Sequence, residues 1–526
     1  MTATRKTVPT TAPPSAARLA AIDIGSNSIH MLVVEATPGG GYRVLDRERE
    51  MVRLGKSALG RGRLSERAVA EGLLTLRKMS TLARLKGAQR ILAVATSAVR
   101  EADNGPEFLA RVKAQTGLEP RILDGEEEGR LIYRAVREAI DLGRGRALIV
   151  DIGGGSTEWI TTRGGRLSKA SSVKLGSLRC AGWLDGDPPS ARALRQLRER
   201  IRDGLRRVPR PRSVERVIAT SGTAVCCADL VDFLAGADWK ASGAVAREVR
   251  ARDLRELVAH LAPLRRRQIA ALPPVGGPRA ESILAGAILL EEVLRHARAN
   301  RFQVSDRALR EGLVLEALGQ PLPAPGAPAD VRRRQIHKLA ERSPGVLPHG
   351  EQCARLATRL FDLTLALHGL GAREREWLEH AALLHDLGYM IDYHQHHKHG
   401  YYLVTSATLD AFDQREIEIV AHLVRYHRGA DPSQKHASFA ALKPWQQRAI
   451  VQLTALLRVA DALDRSHARR VEEIYCSIRR KTVELEVLSR WDVSLELDTA
   501  QERAALFEEV FGRKLKLRRG LRRARR

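Results

Sequence analysis

The chain reads as an α/β protein of two similar lobes, followed by an all-α domain and a small α+β unit. Three observations predict that class. Strand and helix patterns alternate from Leu19 to about Leu318, a Pro- and Gly-rich run (GQPLPAPGAPAD, Gly319 to Asp330) interrupts them, and beyond it apolar residues recur at three- or four-residue spacing. At roughly 150 residues per domain, the 526 residues hold three or four domains, each able to bury its own core.

In chain order, residues 1–18 are rich in Thr, Pro and Ala and lack the apolar centre of a secretory signal, which predicts a disordered leader. Residues 19–140 make the first lobe and 141–318 the second, with 319–330 as the linker. Residues 331–468 form the helical domain, where Trp377, Ala381, Leu384 and Leu387 draw one apolar stripe. Over 469–512 the period shortens toward alternation (TVELEVLSRWDVSLELD), which predicts a small strand-containing unit. The last 14 residues, RKLKLRRGLRRARR, carry nine basic groups and no acid. Self-repulsion should keep residues 513–526 an extended basic tail unless an anion gathers them.

Lys plus Arg outnumber Asp plus Glu by 88 to 62, a net charge of +26, while 44% apolar content rules out wholesale disorder. The surplus favours polyanionic partners. Aromatic residues amount to only 4%, which disfavours base stacking as the main mode of recognition. The Arg-rich stretch Arg192 to Arg212 reads either as a solvated face or as a strip that guides a long anion. Five cysteines with no CxxC pair argue against a disulfide framework and a thiolate zinc site, and suit a reducing cytoplasm. The longest apolar run, Ile283 to Leu290, is far short of the roughly 20 residues that span a bilayer.

A weak internal repeat carries the chemistry. LAAIDIGSNSIHMLVVE (19–35) reads as strand, tight polar turn, strand, and ALIVDIGGGSTEWITT (147–162) repeats that plan 128 positions later. Small residues after each Asp-Ile-Gly let backbone N–H groups approach a ligand, so two such turns facing each other would grip a phosphate. Further along, Glu126, Glu127 and Glu128 open a helix, which by itself could be a charged first turn favoured by the macrodipole. Glu128, however, precedes Leu131, Ile132 and Ala135 by three, four and seven residues, which places it on the inward stripe. An inward carboxylate can take a proton from water and aim it at phosphorus. Glu158, closing the second turn, is the second candidate acid, suited to holding Mg²⁺ or placing the water. Arg100 follows a strand-like run and offers a planar charged fork to phosphate oxygens. Asp23 and Asp151 sit at strand ends, where Asp151 suits metal contact and Asp23 equally a turn-fixing role.

The paired turns resemble the phosphate loops of the actin-like and ribonuclease-H-like superfamily that includes sugar kinases. Within it, DIGSNS (Asp23 to Ser28) and DIGGGSTE (Asp151 to Glu158) are similar to the exopolyphosphatase and guanosine pentaphosphate phosphatase family. ATSAVREADN, GEEEGRLIY, KLGSLR and VSDRALREG agree with that family's further segments over roughly residues 19–470. TSGTAV (Thr220 to Val225) stands where paired glycines are commoner, and Glu281 where Asp is usual. The resemblance implies hydrolysis of a terminal phosphoanhydride, from inorganic polyphosphate, guanosine pentaphosphate or both, in a cytoplasmic homodimer. Glu128, with Glu158, would be catalytic. Gly25, Ser26, Asn27, Ser28, Arg100, Gly153, Gly154, Gly155, Ser156 and Thr157 would bind phosphate, and Asp151 and Glu158 would hold Mg²⁺.

In the helical domain, His349, His385-Asp386 and Asp461 resemble the ligand set of the HD phosphohydrolase superfamily, an HD-like candidate second metal site that His399 and His427 would extend to two ions. Helix-embedded His-Asp pairs also serve packing alone. Three other readings stay open: a phosphotransferase, catalysis by the helical domain with the lobes as binding module, and a nucleic-acid binder resting only on charge and the basic tail.

Overall fold

A computed structural model describes residues 17–37, 41–211, 213–237, 239, 247–320, 328–343, 345–407 and 409–520. Residues 1–16 of the expected leader, 321–327 of the linker and 521–526 of the tail lie outside them. The chain divides into two units, Met1–Pro328 and Ala329–Arg526.

The first unit is built on two sheets of the same plan. Strands β1 (Arg18–Ile24), β2 (Ile29–Ala36), β3 (Tyr42–Glu50), β4 (Arg90–Ala95) and β5 (Arg121–Ile122) lie in the order β3-β2-β1-β4-β5. The second sheet has β6 (Arg146–Ile152), β7 (Thr157–Arg163), β8 (Arg166–Val173), β9 (Arg216–Thr220), β10 (Glu248–Arg250) and β11 (Arg301–Val304), in the order β10-β11-β9-β6-β7-β8. In each, an antiparallel meander continues into parallel strands: β1 pairs antiparallel with β2 and parallel with β4, and β6 does the same with β7 and β9. The central strands are buried on both faces, as RLAAIDI and RALIVDI require by having no polar alternation before their Asp.

Two helices couple the sheets. Gly125–Ala139 and Leu309–Ala317 share one core, in which Leu131, Val136 and Leu313 meet Ala21 and Leu32 from the first sheet and Ile149 and Ile160 from the second. Leu309–Ala317, placed in the second lobe by its sequence position, therefore packs across both.

In the second unit, helices such as Leu347–Leu363, Ala372–Leu384, Gln414–Tyr426 and Pro444–Ala462 bury their apolar stripes in one cluster. That cluster also contains Ile474, Val483, Leu485 and Leu515. The C-terminal α+β segment thus shares the helical core and is no separate body. Its sheet is β12 (Glu473–Ile478), β13 (Thr482–Leu488) and β14 (Lys514–Gly520), with β14 parallel to β13. The expectation of a tail from residue 513 is corrected: Leu515 is buried while Lys514 and Lys516 point to solvent, so burial of alternate apolar side chains prevails over repulsion among the bases. Among the described residues, no helix is long and apolar enough to cross a membrane.

Candidate active site

Each Asp-Ile-Gly strand ends in the same tight turn, closed by Gly25 N–H on Ser28 O and by Gly153 N–H on Ser156 O, both at 3.1 Å. The turns face one another. A Cβ built on Gly154 would lie 3.0 Å from Ser26 Cβ and 3.4 Å from the Asn27 amide nitrogen. Both turns line a cavity of about 380 Å³ that Asp23, Glu128, Asp151 and Glu158 also line.

Glu128 is brought there by its helix. Asp124 caps the N-terminus by accepting from Glu126 N–H and Glu127 N–H at 2.9 and 2.7 Å. Gly125 lets the helix lie on β8, since a Cβ at that position would stand 2.2 Å from Ser172 Cβ. Glu126 is exposed and Glu128 is buried. Arg100 Nη1 donates to Leu123 O at 2.5 Å and lies 3.4 Å from Glu128 Oε2, so its guanidinium stands beside the candidate base.

The four acids are crowded. Burial, then neighbouring Glu158, pushes the Glu128 carboxyl well above its ordinary range. Burial, then Asp151, lifts Glu158 to about 8, although Ser172 Oγ donates to its Oε1 at 2.8 Å. Burial lifts Asp151 to about 6 and Asp23 to about 7. Ser221, which donates to Asp151, is held at φ 71°, a left-handed conformation that glycine adopts without strain, within the TSGTAV segment that departs from the commoner paired glycines. Carboxyls that burial drives toward the protonated form give up those protons to solvent when a cation binds in their place. The donor set is all oxygen, and Asp23 Oδ1 and Asn27 Oδ1 are buried without a hydrogen-bond partner. A hard divalent ion such as Mg²⁺ fits this chemistry.

Thr157 is a correction. It is fully buried and its hydroxyl donates to Leu175 O at 2.5 Å, so it ties the start of β7 to the segment just past β8 and is not among the residues that line the cavity. Gly25, Ser26, Asn27, Ser28, Gly153, Gly154 and Ser156 do face it. Gly155 packs against Ser97 and Ser26.

Sequence reasoning missed the basic end of the cavity. Arg49, Arg279, Arg310 and His30 line it, and burial together with the charges of Arg279 and Arg310 lowers Arg49 to about 10. His30 stands opposite Asp23 in the β1/β2 register, the place that Glu158 takes opposite Asp151. Seven residues from Asp to its partner in both hairpins was the signal available. Glu281 pairs with Lys56 at 3.0 Å and Arg53 at 3.5 Å.

In the second unit, His349, His385, Asp386 and Asp461 come together, all buried apart from half-buried Asp461. His427 joins them, but the expected His399 does not. His396 takes that place, with Nε2 3.2 Å from His427 Nε2 and 3.3 Å from Asp386 Oδ1. The two histidines share a helix three residues apart, nearly one turn, and the turn preceding that helix decides which one faces inward.

The comparisons with known proteins agree across the chain. The Ppx/GppA phosphatase family profile matches residues 32–320, and that of Ppx/GppA phosphatase, domain III, matches residues 331–506. Exopolyphosphatase 1 of Mycobacterium tuberculosis is 34% identical over 306 residues, covering 57% of this chain and 88% of the relative. Exopolyphosphatase 1 of Mycobacterium leprae is 33% identical over 307 residues, covering 57% and 89%. The crystal structure of the Aquifex aeolicus Ppx/GppA family member is similar at 26% identity and a TM-score of 0.51, covering 59% of this chain and 99% of that one. An exopolyphosphatase from Cytophaga hutchinsonii is similar at 25% and 0.53, covering 58% and 100%. With its first profile spanning more than half its length, the chain belongs to the Ppx/GppA phosphatase family.

Proposed function

We propose that the first unit is an exopolyphosphatase that hydrolyses the terminal phosphoanhydride of inorganic polyphosphate, of guanosine pentaphosphate, or of both. The observation that carries this reading is Glu128, buried on the wall of a cavity between two facing phosphate-sized turns. The backbone N–H groups of the turns and the hydroxyls of Ser26 and Ser28 hold the terminal phosphate. The Arg49, Arg279 and Arg310 end takes the phosphates behind it. The Glu128 carboxylate accepts a proton from water as the water oxygen bonds to phosphorus and the bond to the bridging oxygen breaks, giving orthophosphate and a shorter chain. Arg100 steadies the developing charge beside it. Asp151 and Glu158, with Asp23 near, would hold Mg²⁺, which supplies charge neutralisation at the phosphate oxygens.

Phosphate release from long polyphosphate and from guanosine pentaphosphate, measured side by side, tests the reading. Glu128→Gln is expected to lower kcat about 10³-fold, within the range for loss of a general base. Equal rates for the two proteins would remove Glu128 from the mechanism.

A second site is supported by a separate observation. His385, His396 and His427 each donate Nδ1–H to a backbone carbonyl, of Ala382, Tyr393 and Val424 respectively. His349 Nδ1 faces Asp464 Oδ2 at 2.8 Å. Their Nε2 lone pairs therefore converge with the Asp386 and Asp461 carboxylates, and outer partners that fix imidazoles in this way accompany metal ligation. We propose that this HD-like cluster holds divalent transition metal, His349, His385 and Asp461 on one side of Asp386 and His396 and His427 on the other. Metal content of the purified chain checks it: two ions are expected, falling in Asp386→Asn, and none after incubation with zinc or manganese would refute it.

A further inference from the structure

Arg310, His30 and Ser28 form a polar chain on the first hairpin whose proton directions the hydrolytic reading leaves open. His30 Nδ1 lies 3.1 Å from Arg310 Nη1. A guanidinium nitrogen can only donate, so Nδ1 is the acceptor and the ring proton sits on Nε2. That Nε2–H points at Ser28 Oγ, 2.6 Å away. The Ser28 oxygen is thus already an acceptor, and its own hydrogen must go elsewhere. Ser28, whose backbone carbonyl closes the turn, lines the cavity, and a phosphate oxyanion offers acceptors only to its hydroxyl hydrogen.

We propose that Arg310 and His30 act as positioning residues that lock the Ser28 hydroxyl into the donor role toward a phosphate oxygen in the cavity. The inference rests on the phosphate-binding reading of the cavity and adds to it which way each proton points. His30 stays neutral here because burial and then the charges of Arg310, Arg49 and Arg279 drive it down to about 2. A neutral ring can pass the direction of the bond along, whereas a protonated one could not accept from Arg310. The arrangement also gives the crossing helix Leu309–Ala317 a task. It delivers Arg310 to a residue 280 positions earlier, so a side chain from the end of the unit sets the hydrogen-bond sense of the first phosphate turn. In the second hairpin the equivalent place holds Glu158, an acceptor suited to a cation. One turn is thereby furnished for the anion and the other for the metal, although the backbones match.

The test reads binding of inorganic pyrophosphate in the presence of Mg²⁺ by calorimetry. Ser28→Ala should weaken it about 10- to 100-fold, the loss of a hydrogen bond to a charged acceptor. His30→Leu should weaken it to a similar extent, and the double variant should be no more than about twofold weaker than Ser28→Ala alone, because both remove the same bond. His30→Gln, whose amide can accept from Arg310 and donate to Ser28, should recover most of the loss. Losses that multiply in the double variant would overturn the proposal. So would ring nitrogen shifts in the ¹⁵N-histidine-labelled wild type placing the His30 proton on Nδ1, a measurement that needs no variant to fold. A chain that couples these residues yet releases no phosphate from polyphosphate would sink the hydrolase reading and leave this one. Multiplying losses in an active hydrolase would do the reverse.

Discussion

Gly155→Ala probes the spacing on which the candidate site depends. A Cβ at Gly155 would stand 2.5 Å from Ser97 Oγ, 2.9 Å from Leu59 Cδ2 and 3.0 Å from Ser26 Oγ, where ordinary contact begins at 3.4 Å. Ser97 Oγ and Ser26 Oγ are buried and hydrogen-bonded to each other at 2.8 Å, so they do not swing aside without breaking that bond, and the second turn is expected to retreat by up to about 0.9 Å from the first. The contacts are with the first lobe, while Gly155 belongs to the second, so the retreat widens the cleft between the facing turns. A misplacement of about 1 Å costs on the order of 10² in rate, or about 2.7 kcal/mol of transition-state stabilisation. The assay is kcat/KM for phosphate release from polyphosphate, with Gly60→Ala as control, since a Cβ there meets nothing within 4 Å. Thermal unfolding should change little, because Gly155 lies outside the apolar cores of both lobes. Activity of Gly155→Ala within about threefold of wild type would refute the idea that the two turns act as one cradle.

Other expectations follow from the same geometry. With metal chelated, Asp23, Asp151 and Glu158 bind protons more tightly folded than unfolded, their values being raised to about 7, 6 and 8. The folded state then holds more protons, so stability should fall as pH rises from about 5 to 8, and Mg²⁺ should flatten the fall. A metal-free melting temperature that is level or rises over that range would count against these acids being buried in the protonated form. Gly312→Ala should destabilise strongly, because its Cβ would meet Leu131 O at 2.0 Å where the two coupling helices touch. A denaturant midpoint equal to wild type would show that those helices can part freely. Glu292→Ala leaves Arg198, Arg202 and Arg295 around a vacated buried carboxylate. The three guanidiniums are 24, 41 and 56% exposed and stay partly hydrated, so a cost of about 1.5–3 kcal/mol is expected from denaturant unfolding, and a loss below about 0.5 kcal/mol would mean that water takes over the pairing.

The amino-acid sequence by itself determined the two hairpins, the inward Glu128 and the helical character of the second unit. Each is a local property: strand runs broken by small polar turns, and an acid at the right angle on a 3.6-residue stripe. Its Asp-Ile-Gly repeat also announced two sheets of one plan, which the matching strand orders bear out. Only the tertiary structure decided what reaches these elements from far along the chain. Arg310 on His30, Leu309–Ala317 shared between lobes, and His396 in place of His399 all depend on how helices sit after folding, and no window of neighbouring residues encodes that. Thr157 and Lys514–Gly520 show the same limit in smaller form. A hydroxyl in a Gly-rich turn can face either way until the neighbouring strand supplies a carbonyl, and a run of lysines and arginines becomes a strand once a partner edge lets its alternate leucines be buried.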